Sequence, residues 1–269
     1  MIAKLQIQTT LYKGKTILKN AFCSQPFKLA DITEDRSEKT LRLMMMTSSP
    51  GILDGDEYHI QIELEEDCTV ELETQSYQRL FNMKEGASQV MEIKMAKGSS
   101  FAFLPHPSVP HECSIFTAKN KIYLSGGCCL LWGEVLTSGR KLNGENFLMS
   151  KYHNLTEIFL NGKLIVKENL LMAPKTIDVT AIGQLEGYTH QASFIFINET
   201  FLITPALKKI NELLAGETEI CFGVSALQVN GIIVRLLGYK GEQLHNCLKK
   251  IALFFSQTAL NPKSVVYAK

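Results

Sequence analysis

The sequence predicts a mainly β protein: an elongated body of many short strands, with two amphipathic helices toward the C-terminus. Three observations predict it. Apolar and polar residues alternate with period two in successive runs between Tyr58 and Met95, as the two faces of half-buried strands require. Asn-Gly pairs at 161–162 and 230–231 separate further strand-like runs, and that dipeptide suits tight hairpins because both positions accept positive φ. Only two segments, both beyond residue 200, carry apolar residues at helical spacing.

The first eight residues alternate polar and apolar and lack the apolar core of a secretory leader. Residues 33–39 read as a charged loop. In residues 58–64, Tyr58, Ile60, Ile62 and Leu64 share one face, opposite His59, Gln61 and Glu63. Residues 68–75 set Val70 and Leu72 against Glu71 and Glu73, and Met91, Ile93 and Met95 alternate with Glu92 and Lys94. Residues 65–67 and 97–100 supply turns between these runs. Asn161-Gly162 joins 157–160 to 163–166, and Asn230-Gly231 joins 226–229 to 232–236, each as a type I′ hairpin.

The first helix is expected over 204–216, with Thr204 as N-cap candidate, Pro205 in the first turn and Gly216 at the end. Its Leu207, Ile210, Leu213 and Leu214 form one stripe. The second is expected over 242–257, with Leu244, Leu248, Ile251 and Phe255 on its apolar side. Residues 261–269 read as a frayed tail. No glycine- or proline-rich linker divides the chain, so residues 1–269 read as a single domain.

Composition narrows the function. A chain of 269 residues, 45% hydrophobic and 20% charged, can bury a substantial core without staples. Its 28 Lys+Arg nearly balance 27 Asp+Glu, which argues against a general nucleic-acid binder. No apolar run approaches the roughly 20 residues of a membrane helix; the richest stretches are broken by Asn198, Glu199, Asn230 and Arg235. Seven cysteines, an odd number that includes the adjacent pair Cys128-Cys129, read as reduced thiols in a cytoplasmic protein. On a strand that pair points to opposite faces.

Strong catalytic signatures are absent. Nothing matches a P-loop, a dinucleotide fingerprint, a zinc-protease helix, a nucleophile elbow or a C-x-x-C pair. His106 and His111, with Glu112 and Cys113 following, could ligate nickel, zinc or copper, or could belong to a rigid loop set by Pro105, Pro107 and Pro110. Glu134 stands in an apolar run and needs either a partner, for which Arg140 is the obvious candidate, or a wet cavity. Asp54 and Asp56, in a glycine-containing turn, either cap their own backbone or serve a site.

Several segments, in order, resemble the UreD/UreH family of urease accessory proteins. Residues 49–56, Ser-Pro-Gly-Ile-Leu-Asp-Gly-Asp, are similar to S-P-G-G-x-x-G-D through Pro50, Gly51, Gly55 and Asp56. Thr74, Gln75 and Ser76 open a run similar to T-Q-[AS]-x-x-K-x-[YF], and residues 104–110 resemble P-x-P-x-I-P. Glu134, Gly139 and Arg140 match E-x-x-x-x-G-R, and Glu145 belongs to a following G-E-x-F. Residues 186–190 and the C-terminal helix look closest to the UreH form. The resemblance spans residues 22–257. Ile52 replaces the second glycine, Arg79 the lysine, and His111 a customary aromatic residue.

The resemblance implies a β-helix-like, solenoid-type body with the two helices, and a non-enzymatic role without a tightly bound cofactor. It implies a scaffold that bridges a UreF-type protein, and through it a UreG-type GTPase, to the urease apoprotein. GTP-dependent nickel insertion would follow, with nickel carried through an internal water-filled tunnel. Transient nickel-path candidates are Asp56, Glu134 and Glu145, with His106 and His111 weaker. Two other readings stay open: a β-helix glycan hydrolase using Asp54, Asp56 or Glu134, and a purely structural β-solenoid, for which no clear repeat period is found.

Overall fold

The computed structural model describes residues 1–260, with the side chains of residues 259 and 260 excepted. The tail expected at 261–269 lies outside the described residues. The chain opens with β1 (Ile2–Tyr12), β2 (Lys15–Cys23), β3 (Phe27–Asp31) and β4 (Leu41–Thr47). Next come β5 (Glu57–Leu64), β6 (Thr69–Thr74), β7 (Gln78–Leu80), β8 (Ala87–Met95) and β9 (Ser100–Phe103). They are followed by β10 (Ser108–Pro110), β11 (Ile115–Leu124), β12 (Cys129–Thr137), β13 (Lys151–Leu160) and β14 (Lys163–Met172). The last third holds β15 (His190–Asn198), α1 (Ile203–Ala215), β16 (Ile220–Ala226), β17 (Gly231–Gly238) and α2 (Gly241–Phe255).

The protein is mainly β, with both helices near the C-terminus, as expected. One sheet runs β14-β13-β11-β8-β5-β1-β2. The other runs β16-β17-β15-β12-β9-β6-β4-β3, with β7 and β10 attached beside β12. Between β4 and β13 the long strands fall alternately in the two sheets, and each pairs in parallel with its neighbour two strands on. The uniform solenoid that the resemblance implied does not describe the whole. Both sheets are mixed and open, with antiparallel β1-β2, β13-β14 and β3-β4 hairpins and an antiparallel β12-β15-β17-β16 wing.

Period-two alternation stacks side chains into rows. On the seven-stranded sheet Ile7, Ile62, Ile93, Ile122 and Ile158 stand in register across five parallel strands, all buried. Aligned β-branched residues pack well on a pleated surface. The row below begins the same way with Leu5, Ile60 and Met91 but ends in Asn120 and Thr156. A third row holds Tyr58, Gln89, Ala118 and Asn154. The sandwich interior thus changes from apolar to polar toward one end.

The ten-stranded sheet is covered on both faces. On β12, Leu130, Trp132 and Leu136 face the sandwich core, whereas Cys129, Leu131 and Val135 join a second core beneath the helices. The opposite orientation of Cys128 and Cys129 follows the same parity, since each belongs to a different core. α1 contributes Ala206, Ile210 and Leu214, and α2 contributes Leu244, Leu248, Ile251 and Phe255.

Two local expectations need correction. Thr204 is not an N-cap: α1 starts one residue earlier, its cap position is Leu202, and no side chain bonds the first turn. Asn230-Gly231 is not a type I′ turn, unlike Asn161-Gly162, where φ is 49° and 80°. Gly231 already belongs to β17, and the connection is the four-residue loop 227–230. Glycine is needed there because a Cβ would lie 2.6 Å from the Phe196 carbonyl oxygen.

Candidate functional site

Three adjoining cavities lie toward the polar end of the sandwich. The largest, about 550 Å³, is lined by Glu134, Tyr152, Asn154, Glu168 and Arg235, among others. A middle cavity of about 70 Å³ shares Glu134, Val135, Tyr152 and Asn154 with it. A third, also about 70 Å³, shares Met45, Thr74, Gln78 and Gln89 with the middle one.

Glu134 stands where the first two meet. It continues the inward row of β12 after Leu130 and Trp132, so strand parity aims a carboxylate between the sheets. Asn120 Nδ2 on β11 lies within hydrogen-bond distance of Glu134 Oε1 (3.2 Å), Asn154 Oδ1 (3.0 Å) and Thr156 Oγ1 (2.9 Å), which share its two amide hydrogens. Burial pushes the Glu134 carboxyl up to about 7, since an ionised acid is poorly solvated there. Its expected partner Arg140 is engaged elsewhere. Arg140 Nε donates to Glu145 Oε2 at 2.9 Å, and Nη2 bonds the other carboxylate oxygen. This planar, two-point fit satisfies the guanidinium on its own side of the chain. Hydrogen bonding to Arg140 holds the Glu145 carboxyl below the usual range.

Most residues singled out from the sequence occupy separate settings. Asp56 is buried, with Oδ2 accepting the Leu53 N–H at 2.9 Å and Oδ1 3.2 Å from the Met1 amino group. Asp54 Oδ1 accepts the N–H groups of Glu85 (3.0 Å) and Gly86 (2.8 Å). Asp56 thus caps its own turn, whereas Asp54 ties that turn to the 85–86 segment; the acids offered for a glycosidase pair are each held by different groups. Gly55 takes φ +74° in the turn entering β5, and Gly139, at φ +133°, lies close to Glu145.

The two histidines part as well. His106 lines the middle cavity, its Nδ1 3.1 Å from Thr74 Oγ1 and its ring 4.9 Å from that of His245 on α2. His111 is buried edge-on against Phe81 at 4.8 Å, and burial lowers its pKa. Among the described residues no group of three or more His, Cys, Asp or Glu is arranged to hold a metal ion.

The first two matched motifs do converge. Pro50, Gly51, Thr74, Gln75 and Ser76 all line the third cavity. Gly51 lies so close to Arg79 and Phe81 of the neighbouring segment that no larger residue fits. There the Ile52 N–H donates to the Arg79 carbonyl (2.8 Å) and the Phe81 N–H to that of Ile52 (3.0 Å). Ile52, where the motif has glycine, is buried in the core at 2% exposure.

The family described as UreD urease accessory protein matches residues 1–266. The chain belongs to this family. It is 48% identical to urease accessory protein UreD of Flavobacterium johnsoniae over 269 residues, covering 99% of this chain and 97% of that protein. It is 33% identical to the UreD of Acetivibrio thermocellus over 250 residues, covering 93% and 95%. With a UreD of Actinobacillus pleuropneumoniae the identity is 32% over 259 residues, covering 93% and 96%. Membership of the UreD family implies a part in urease maturation.

Within this UreD-family chain, sequence reasoning missed Asn120, Asn154, Gln78, Gln89, Glu168 and Arg235. The first two were legible in principle, as polar residues at inward positions of strands whose neighbours in the row are apolar. The others become neighbours only when the sheets stack.

Proposed function

We propose that the chain is a non-enzymatic, cytoplasmic scaffold, acting as one unit, that bridges a UreF-type protein to the urease apoprotein. A UreG-type GTPase reaches it through the UreF-type partner and supplies the GTP hydrolysis. The chain itself conducts nickel, as transported ion rather than cofactor, through the row of cavities between its sheets. The single observation that carries this reading is their adjacency: the middle cavity shares lining residues with each of the other two, and Glu134 borders the first and the middle one. An incompletely compensated carboxylate attracts a divalent ion, while amides and hydroxyls alone form no site tight enough to hold it. The β12 strand, buried on both faces and shared by both cores, supports the single-domain reading. None of the seven cysteines is paired with another, which supports a reducing compartment, and no described helix is long and apolar enough to cross a membrane.

The test is activation of urease apoprotein by nickel in the presence of UreF- and UreG-type proteins, with and without this chain. Glu134→Leu should co-purify with both partners yet lower activation at least tenfold, and Glu134→Gln should fall between it and the parent. Wild-type activation by Glu134→Leu would refute the passage, and failure of the unaltered chain to co-purify with the UreF-type protein would refute the bridge.

A further inference from the structure

The middle and third cavities share Met45, Thr74, Gln78 and Gln89, and all four are uncharged. Gln78 lies on β7, attached to the ten-stranded sheet, and Gln89 on β8 of the other. Gln78 Nε2 donates to Gln89 Oε1 at 3.2 Å, so one hydrogen bond closes the junction from sheet to sheet. Around it the walls are fixed. Ser108 Oγ donates to Gln78 Oε1 at 3.1 Å. Thr74 Oγ1 accepts the His106 N–H at 2.8 Å. Gln89 interrupts a row whose neighbours are Tyr58 and Ala118, where an amide has no packing advantage.

We infer that Gln78 and Gln89 form a gate between the two halves of the interior and set which cation passes. This rests on the passage reading above. A neutral amide pair is inexpensive to part, unlike an ion pair in the same place. Once parted, the junction presents two amide groups, a hydroxyl and the Met45 thioether: oxygen and soft sulfur donors without net charge. Such a set strips little water from a hard ion such as magnesium, accepts a borderline divalent ion briefly, and leaves Glu134 beyond it to draw the ion onward. A carboxylate at this junction, beside the Met45 sulfur, the Thr74 hydroxyl and the remaining amide, would complete a site that holds the ion instead of passing it.

The test uses the complete assembly with urease apoprotein. The double variant Gln78→Leu/Gln89→Leu keeps side-chain bulk but removes every amide. It should assemble with its partners, melt within a few degrees of the parent, and activate urease at least tenfold more slowly. Gln78→Glu should retain nickel through gel filtration, measured by elemental analysis, where the parent assembly retains at least tenfold less. Wild-type activation by the double variant, while Glu134→Leu is impaired, would overturn the gate and leave the passage standing. Wild-type activation by both would overturn the passage and the gate with it. If the double variant does not assemble, Gln89→Met, of similar volume, decides: at least threefold slower activation upholds the gate, and the parent rate overturns it.

Discussion

Asn120 reaches across from one sheet to Glu134 on the other, its amide nitrogen 3.2 Å from the carboxylate oxygen. The same nitrogen faces Asn154 and Thr156, so one side chain organises the polar end of an otherwise apolar sandwich. Replacing Asn120 by Leu would remove the two amide hydrogens that Glu134, Asn154 and Thr156 share. The expected cost is about 1–3 kcal/mol, with a further upward movement of the Glu134 pKa. Urea denaturation and a carbon-detected NMR titration of Glu134 check both.

Glu134 itself should lower stability as pH rises. Its folded pKa of about 7 exceeds the ordinary 4.5, so between those values the folded chain holds a proton that the unfolded chain has released. Stability therefore declines from pH 4.5 up to about pH 7 and then levels off, by an amount on the order of 3 kcal/mol. Glu134→Gln should remove this decline: more stable than the parent at pH 8, and equal to it below pH 4.5. Melting curves taken from pH 4 to 8 would show the two proteins diverging as pH rises, and parallel curves would contradict it.

The Arg140–Glu145 pair carries the opposite sign. Glu145 has a depressed folded pKa, so its contribution is present above pH 4.5 and disappears as pH falls through the depressed value. Arg140→Ala should lower the melting temperature at pH 7 and do so progressively less as pH falls below 4.5 through the depressed Glu145 value. A loss that stays constant down to acid unfolding would mean that packing, not charge, is what Arg140 supplies.

Gly231 meets the Phe196 carbonyl across β15 and β17, where an added Cβ would sit 2.6 Å away. Gly231→Ala should cost about 1–3 kcal/mol by forcing the strands apart. Gly223→Ala, on β16 with nothing within 4 Å of its position, should stay within about 0.5 kcal/mol of the parent. Paired denaturant titrations compare the two.

Phe255 anchors α2 by stacking on Phe196 at 3.8 Å and meeting Phe201 edge-on at 5.6 Å. Phe255→Ala should cost about 3–5 kcal/mol and expose the outer face of the ten-stranded sheet to hydrogen exchange before the sandwich core opens. Uniform exchange across both cores would contradict that order.

Strands, the Asn161-Gly162 turn and the burial stripe of α2 were legible because each depends on neighbours a few residues apart. Tyr58, Ile60, Ile62 and Leu64 are buried as their alternation required. Thr204 missed the start of α1 by a local shift; the other two errors share a long-range origin. Asn230-Gly231 carried a turn signal, yet Gly231 answers to Phe196, 35 positions away. Arg140 was the nearest cation to Glu134 in sequence, yet its geometry suits Glu145.

By itself, then, the order of residues determined the strand-rich body, the two covering helices and family membership, since local periodicity and ordered motifs need no long-range information. Tertiary structure alone decided that Glu134, His106 and the Thr74–Ser76 motif border a shared set of cavities, and that Asp56 and Glu145 line none of the three. Strand parity fixes the face to which a side chain points. What it meets there depends on which strands stack opposite it, and that is set by packing across the whole chain.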